Sequence, residues 1–336
     1  MNNSKVLVTG ATGLTGSHTV QLLLDHGRPV RVLAHREDKR SKRLQDLGAE
    51  VTIGDLLNPS DVRSALNGVQ SAYFVYPLSP TLVHATVIFA QAAKEAGVEI
   101  VANMSQWNSR PSAKSPATIN HWLSERVFDW SAVPVAHLRA TFFSEWLVWV
   151  ARSIRQGVMT MPWDAYSRFS PVATEDLAHV IAAILENPAA HRGKTYPLCG
   201  PAELSYAEVA EIASRVLGTQ ITYQQVNVDA FAESLGQTGN ALFKEHCRAV
   251  AVELQEGVFA GTNSLAAQIS GRQPMTEWRI TEWRISPFRV RPQTHRFSLA
   301  NETLFRPTSH GPMDERIPGK DRFHHELRSR HDVLEP

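Results

Sequence analysis

Short apolar runs rich in β-branched residues alternate with longer segments whose apolar residues recur every three or four positions. The first run, Lys5-Val-Leu-Val-Thr9, meets Gly10 at once and is followed by a segment with apolar residues at Val20, Leu22, Leu23 and Leu24. The pattern then repeats: strands are expected at 29–34, 50–55, 71–77, 98–103 and 133–138. Helices are expected at 58–67, 81–96 and 119–130, with Gly68 and Gly97 as the stops of the first two. Strand–helix units of about thirty residues form parallel strands with helices on both faces of the sheet.

The second half is less regular. A helix is expected at 174–186 with Thr174 as N-cap, and a strand at 194–198. Ser205-Tyr-Ala-Glu208 reads as a capping box opening a helix to residue 217, and 226–271 is expected to be helical in parts. This divides the chain into a dinucleotide-type domain at 1–150 and a small lobe at 151–275 that also returns part of itself to the sheet. From residue 276 the character changes: Thr276-Glu-Trp-Arg-Ile280 is repeated at once as Thr281-Glu-Trp-Arg-Ile285, then aperiodic sequence follows. The segment 276–336 is expected to be a weakly ordered tail.

Composition narrows the classes. At 336 residues there is room for one large α/β unit or two smaller ones, and a net charge of +1 offers nothing to nucleic acid. Cys199 and Cys247 lie far apart without metal spacing, and His324, His325 and His331 lack a supporting acid or cysteine pattern. Reduced thiols, no metal and a cytoplasmic location are expected. No apolar run is long enough to span a bilayer.

The candidate chemistry gathers at the carboxyl ends of the expected strands, where ligands of parallel sheets lie. Gly10-Ala-Thr-Gly13-Leu-Thr-Gly16 stands between a strand and a helix start, the context a dinucleotide site needs, although its spacing departs from the commonest fingerprint. Gly10 allows the sharp turn, Gly13 lets backbone approach a pyrophosphate, and Gly16 lets the helix sit close; Thr12 and Leu14 complete the turn. Arg36 ends the second strand, where a cation favours a ribose 2′-phosphate and hence NADP(H); Lys39 to Arg43 read more simply as a solvated helix start. Asp55, with Leu56, either accepts the adenine amino group or makes a turn. Tyr76, Pro77, Asn103 and Ser105 lie along the same rim. The polar stretch 106–118 is a candidate flap carrying Trp107. Phe142, Phe143 and Trp146 are either core or the apolar wall of a substrate pocket.

Several segments are similar to NmrA-like proteins, atypical members of the short-chain dehydrogenase/reductase superfamily: 10–16, Gly54-Asp55, Leu138-Arg139, Phe142-Phe143, 172–177 and 193–201. The resemblance covers about residues 4–275. It implies a Rossmann-type doubly wound parallel sheet that binds NADP(H), with a small C-terminal substrate lobe. Ordinary superfamily members carry Tyr-x-x-x-Lys on the helix after the fifth strand, and here that helix reads His121-Trp-Leu-Ser-Glu125. Both side chains share a helix face. His121 is a candidate proton donor oriented by Glu125, with Ser105 holding a substrate oxygen; the simpler reading is a half-exposed His–Glu pair.

Three functions fit. The first is an NADP(H)-dependent reductase of a small apolar or aromatic acceptor: a quinone, enone, ketone or imine. A quinone asks least of the proton machinery, because water serves its oxygens. The second is a non-catalytic redox sensor with a regulatory protein partner, and the third a redox-neutral enzyme using His121 as acid–base. A homodimer is compatible with each.

Overall fold

The computed structural model describes residues 4–275. The tandem repeat and the histidines at His324, His325 and His331 lie outside the described residues. In order, the chain forms β1 (Lys5–Thr9), α1 (Leu14–Asp25), β2 (Val30–Ala34), α2 (Lys39–Asp46), β3 (Glu50–Ile53), α3 (Pro59–Leu66), β4 (Val69–Phe74) and α4 (Leu82–Glu95). Then come β5 (Ile100–Gln106), α5 (Pro116–Ser131), β6 (Val135–Ala140), a 3₁₀ turn (Ser144–Val148), α6 (Ala151–Ile154), β7 (Val158–Met161) and β8 (Arg168–Phe169). The chain continues with α7 (Thr174–Glu186), α8 (Pro188–His191), β9 (Lys194–Leu198), β10 (Leu204–Ser205) and α9 (Tyr206–Leu217). It closes with β11 (Thr222–Gln225), α10 (Val228–Ser234), α11 (Ala241–Gln255) and α12 (Leu265–Ser270).

Seven strands form one parallel sheet in the order β3-β2-β1-β4-β5-β6-β9. The α/β alternation read from the sequence is therefore the architecture. Strand order reverses between β1 and β4, which opens a crevice at their carboxyl ends. Successive strand residues face opposite ways. Val6, Val8, Tyr73, Ile100 and Leu138 pack under α1 and α7 through Val20, Leu23, Leu177 and Ile181. Leu7, Ala72, Phe74 and Val101 pack on the other side under Val62, Phe89 and Phe128 of α3, α4 and α5. There the rings of Phe74 and Phe89 sit 4.7 Å apart, with Phe128 edge-on.

A third core lies off the sheet. Trp146, Trp163, Phe169, Tyr206, Phe231 and Leu254 bury one another in the lobe, with Phe169 and Tyr206 stacked at 4.3 Å. The lobe also holds two small sheets, β7 parallel to β11 and β8 antiparallel to β10. α7, β9 and α12 belong to the large sheet and its covering layer, so the chain leaves for the lobe twice.

Two expectations need correction. Thr174 is not the N-cap of α7 but its first residue: Ala173 stands at the cap position without a side-chain bond, and the Thr174 hydroxyl donates to Glu145 instead. β5 runs three residues past its expected end, because Met104, Ser105 and Gln106 go on pairing with Leu138, Arg139 and Ala140. Asn103 and Ser105 thus lie within the sheet rather than on its rim. Hydropathy ended the strand at its polar residues, but those residues find polar partners beneath α5.

Gly16 tests the packing of the first turn. A Cβ there would lie 2.4 Å from the Gly10 carbonyl oxygen and 2.8 Å from Ala11 Cα, both backbone. Gly16→Ala should lower stability by about 1–3 kcal/mol in denaturant unfolding. Gly239→Ala, with nothing within 4 Å of the added methyl, should change it by less than about 0.5 kcal/mol.

Candidate functional site

The glycine turn sits at the crevice and is built to face an anion. Thr9 Oγ1 accepts from Val75 N–H (2.9 Å) and donates to Val75 O (3.1 Å), joining the ends of β1 and β4. Gly10 turns there at φ +56°, and a Cβ would come 2.5 Å from Val75 Cγ1. Gly13 donates back to the Gly10 carbonyl (2.9 Å) and is the N-cap of α1, with no side-chain cap. The first N–H groups of α1 are thus left for an outside acceptor. Thr15 Oγ1 is 2.8 Å from the Tyr73 hydroxyl, both buried, so the first turn of α1 is pinned to β4. Gly13 is exposed, Thr12 and Leu14 partly so. These residues fit a pyrophosphate.

Arg36 follows β2 and is largely exposed, with Nε 3.7 Å from Asp38. Asp38 caps α2 through the N–H groups of Arg40 and Ser41 and also accepts the Arg40 guanidinium at 2.7 Å. That guanidinium, helped by the two N–H groups, holds the Asp38 carboxyl down to about 2. Asp38 is thus held more closely by Arg40 at 2.7 Å than by Arg36 at 3.7 Å, and the Arg36 side chain remains largely exposed. Asp55 makes a turn: Oδ1 accepts from Leu57 N–H, while its own N–H donates to Asp61 (both 2.9 Å). Leu56 packs against the α3–α4 side of the core. Tyr76 donates to or accepts from Thr81 at 3.0 Å, beside exposed Pro77.

Three expected site residues are placed elsewhere. Asn103 is buried with Nδ2 3.1 Å from His137 Nδ1, and His137 reaches Asp129 at 3.2 Å; its side chain faces α5, not the rim. Ser105 is buried too, and its hydroxyl donates to Glu125 Oε1 at 2.7 Å. Glu125 has no exposed surface and takes Arg139 in a fork, Nε at 2.9 Å and Nη2 at 2.6 Å. A carboxylate so engaged does not orient His121, and the expected His–Glu pair is not formed. The reason is charge: a buried carboxylate needs a cation, and β6 supplies Arg139.

His121 is 7% exposed, and among the described residues it has no hydrogen-bond partner. Burial, then the neighbouring His246, push it down to about 3. It is a neutral imidazole at physiological pH rather than a charged acid. His246, on α11, is pushed down to about 4 by burial, and its Nδ1 lies 2.8 Å from Ser115 Oγ at the start of α5.

The aromatic segment divides. Trp146 is lobe core, set against Phe169 and Tyr206. Phe142 is partly exposed against Phe259 at 4.8 Å and Trp163 at 5.5 Å. Phe143 packs on the sheet core and bridges Val172. Trp107 donates to the Val258 carbonyl (2.8 Å), Asn108 to Glu253 (2.9 Å), and Lys114 pairs with Glu256 at 3.1 Å. The expected flap is therefore fastened across α11.

Arg139, named only as part of the family resemblance, and Asp38, Tyr73 and His246 were not among the candidate site residues read from sequence. A signal existed for the first: Asn103 and Ser105 on β5, and His137 and Arg139 on β6, alternate with apolar residues and so share a face. Among the described residues no group of three or more His, Cys, Asp or Glu could hold a metal, and no helix is long and apolar enough to cross a membrane. Cys199 and Cys247 are buried and free.

Two measurements follow from these geometries. Glu125→Leu leaves Arg139 without its anion and should cost about 3 kcal/mol or more in unfolding free energy. His121 and His246 titrate well below their ordinary 6.5, so below about pH 6.5 the unfolded chain takes up protons that the folded chain refuses. Stability falls as pH drops through that window. Asp176, raised to about 6 by burial, protonates first in the folded state and partly offsets the fall. Relative to the wild type, His121→Gln should flatten the dependence between pH 6 and 4.5 by about 1.4 kcal/mol per pH unit.

Known proteins share this fold or a similar sequence. An NAD(P)H azoreductase of Xenophilus azovorans is 30% identical over 237 residues, 70% of this chain and 81% of its own length. The NADPH-dependent quinone oxidoreductase of Escherichia coli, solved with NADPH, has the same fold with a TM-score of 0.71 at 21% identity, over 83% of this chain and 99% of that one. NmrA, a negative transcriptional regulator solved with NADP, reaches a TM-score of 0.71 at 17% identity, over 86% and 97%. The model of the NmrA-like family matches residues 2–259, and the chain belongs to that family.

Proposed function

We propose that this protein is an NADP(H)-dependent oxidoreductase that reduces a small apolar or aromatic acceptor. The observation that carries the reading is the uncapped start of α1 behind Gly10, Gly13 and Gly16, with the largely exposed guanidinium of Arg36, 3.7 Å from Asp38, after the neighbouring strand β2. The azoreductase and the quinone oxidoreductase among its relatives support the reaction class.

Bound NADPH supplies a hydride. The chain's own groups do the rest. The α1 N–H groups hold the pyrophosphate, and Arg36 takes the ribose 2′-phosphate. Tyr73 and Thr15 keep the helix start in place. Ser105, Glu125 and Arg139 lock α5 to the sheet and so fix His121. By the family resemblance His121 takes the place of the superfamily's tyrosine, and as a neutral ring it offers an N–H hydrogen bond rather than an acid proton. An acceptor whose reduced atom takes its proton from water suits that site, and a quinone is the simplest. Phe142 and Trp107 supply apolar surface toward the lobe.

A sensor that binds NADP(H) without turnover is the second reading. It is favoured by the neutral His121 and by the fold shared with a transcriptional regulator. Oxidation of NADPH by the full-length protein, followed with quinones, enones, ketones, imines and azo compounds, separates the two. Turnover is expected with at least the quinones; tight NADPH binding with no turnover on any acceptor would leave the sensor. Arg36→Ala should weaken NADPH binding about ten- to a hundredfold while leaving NADH binding little changed. An unaltered NADPH titration would remove Arg36 from the site.

A further inference from the structure

Two buried carboxylates reach the segment 106–118 from opposite sides. On the sheet side, Glu125 takes the Ser105 hydroxyl at 2.7 Å, and Ser105 Oγ lies 3.0 Å from Ser109 Oγ. On the lobe side, Glu253 of α11 is 1% exposed. It has no ion pair among the described residues; the Lys114 ammonium pairs with Glu256 instead, at 3.1 Å. Two donors from one loop converge on a single atom, Glu253 Oε1: Asn108 Nδ2 at 2.9 Å and Lys114 N–H at 3.5 Å. The outer ends of the same loop are joined where the Thr118 hydroxyl donates to Gln106 Oε1 at 2.8 Å. Asn108 is itself oriented, because its Oδ1 accepts from the Arg110 guanidinium. The amide thus relays part of that charge to a buried anion that has no cation of its own.

Consecutive residues are therefore fixed by different partners: Trp107 by the Val258 carbonyl, Asn108 by Glu253 and Ser109 by Ser105. Val258 N–H in turn donates to the Glu253 carbonyl at 3.0 Å. The next residue, Phe259, lies 4.8 Å from Phe142. Trp107 follows β5 and Phe142 follows β6, and both keep partial exposure. These two apolar residues, from neighbouring strand ends, are thus seated on the chain that leaves α11. Glu253 governs that chain through its backbone and the loop through its side chain.

We propose that Glu253 is a positioning residue for the acceptor: through Asn108 it fixes Trp107, and so sets from the lobe the apolar wall that the acceptor meets. The proposal rests on the reductase reading and adds to it the residue by which the lobe controls acceptor fit. Glu253 touches neither cofactor nor acceptor and acts by geometry alone. Opening the loop would strip a buried carboxylate of its donors, so the loop is held closed. Trp107, Asn108 and Ser109 cannot shift separately, because they are adjacent and each is bonded. The glycine turn and Arg36 belong to β1 and β2, whereas the loop and Phe142 belong to β5 and β6, across the reversal of strand order. Acceptor fit is therefore separable from NADP(H) binding.

The test uses the full-length protein with 1,4-naphthoquinone as the acceptor probe. Binding is read by quenching of tryptophan fluorescence in the NADP⁺-loaded form, where no turnover occurs; KM and kcat are read separately with NADPH. Glu253→Leu should raise the naphthoquinone Kd and KM about three- to tenfold with NADPH affinity unchanged. Glu253→Gln keeps an oxygen for Asn108 and Lys114 and should recover most of the loss. Asn108→Ala, which leaves α11 intact, should match Glu253→Leu, and the double variant should be no worse than either alone, because both act through one bond. Glu256→Gln removes only the exposed pair with Lys114 and should change neither constant. An unchanged naphthoquinone Kd in folded Glu253→Leu or Asn108→Ala overturns the proposal, and so does an equal loss of NADPH affinity or failure of the wild type to bind naphthoquinone. Naphthoquinone that binds in a manner dependent on Glu253 but is never reduced would keep the positioning role and refute the reductase.

Discussion

The buried charge of Glu125 decides what α5 can show the cofactor rim. Its carboxylate lies between α5 and the sheet, where an unpaired charge is not tolerated, and Arg139 and Ser105 fill it from β6 and β5. The strands are in register at that point, Ser105 opposite Arg139. Because the carboxylate turns inward, the residue one turn earlier is left without an acid and turns toward the lobe. The character of His121 as a neutral, unpaired ring follows from a charge it does not touch.

The same polar face runs further down. Arg126 pairs with Asp129 at 2.9 Å, and Asp129 with His137. Beside this seam Phe128 packs on Phe89 and Phe74, and Ser124 Oγ lies 2.9 Å from Thr86 Oγ1, joining the helix to α4 and β4. Such a seam specifies one orientation of the helix about its own axis, since any rotation would strand charges in the core.

Much of the fold was legible in the sequence because period and punctuation agreed: β-branched runs, glycine stops and caps at Asn58 and Ser205 mark elements that the chain forms. The glycine turn was legible for the same reason, since local geometry alone demands Gly10 and Gly16. Residues whose roles depend on a distant partner were not legible. Asn103 and Ser105 were read as rim residues because a polar residue after an apolar run resembles a strand end, and only His137 and Glu125, from elsewhere in the chain, explain them. Asp55 and Trp146 fell between two readings in the sequence, and the contacts they make, Asp55 with Leu57 N–H and Trp146 with the lobe core, could not be read from it. His246 lies in a segment without strong periodicity, and nothing in the line of residues links it to Ser115, so remote in sequence.

The double departure of the chain from the large sheet has a consequence for modularity. The lobe is assembled from one stretch between β6 and α7 and another between β9 and α12. It cannot be excised, grafted or exchanged with a relative's as a single contiguous piece. A graft would need two simultaneous cuts at each end, both beside the glycine cradle's sheet. Recombination within the family is therefore expected to conserve the lobe and the sheet together, and variety in acceptor to arise by substitution within the lobe rather than by its replacement.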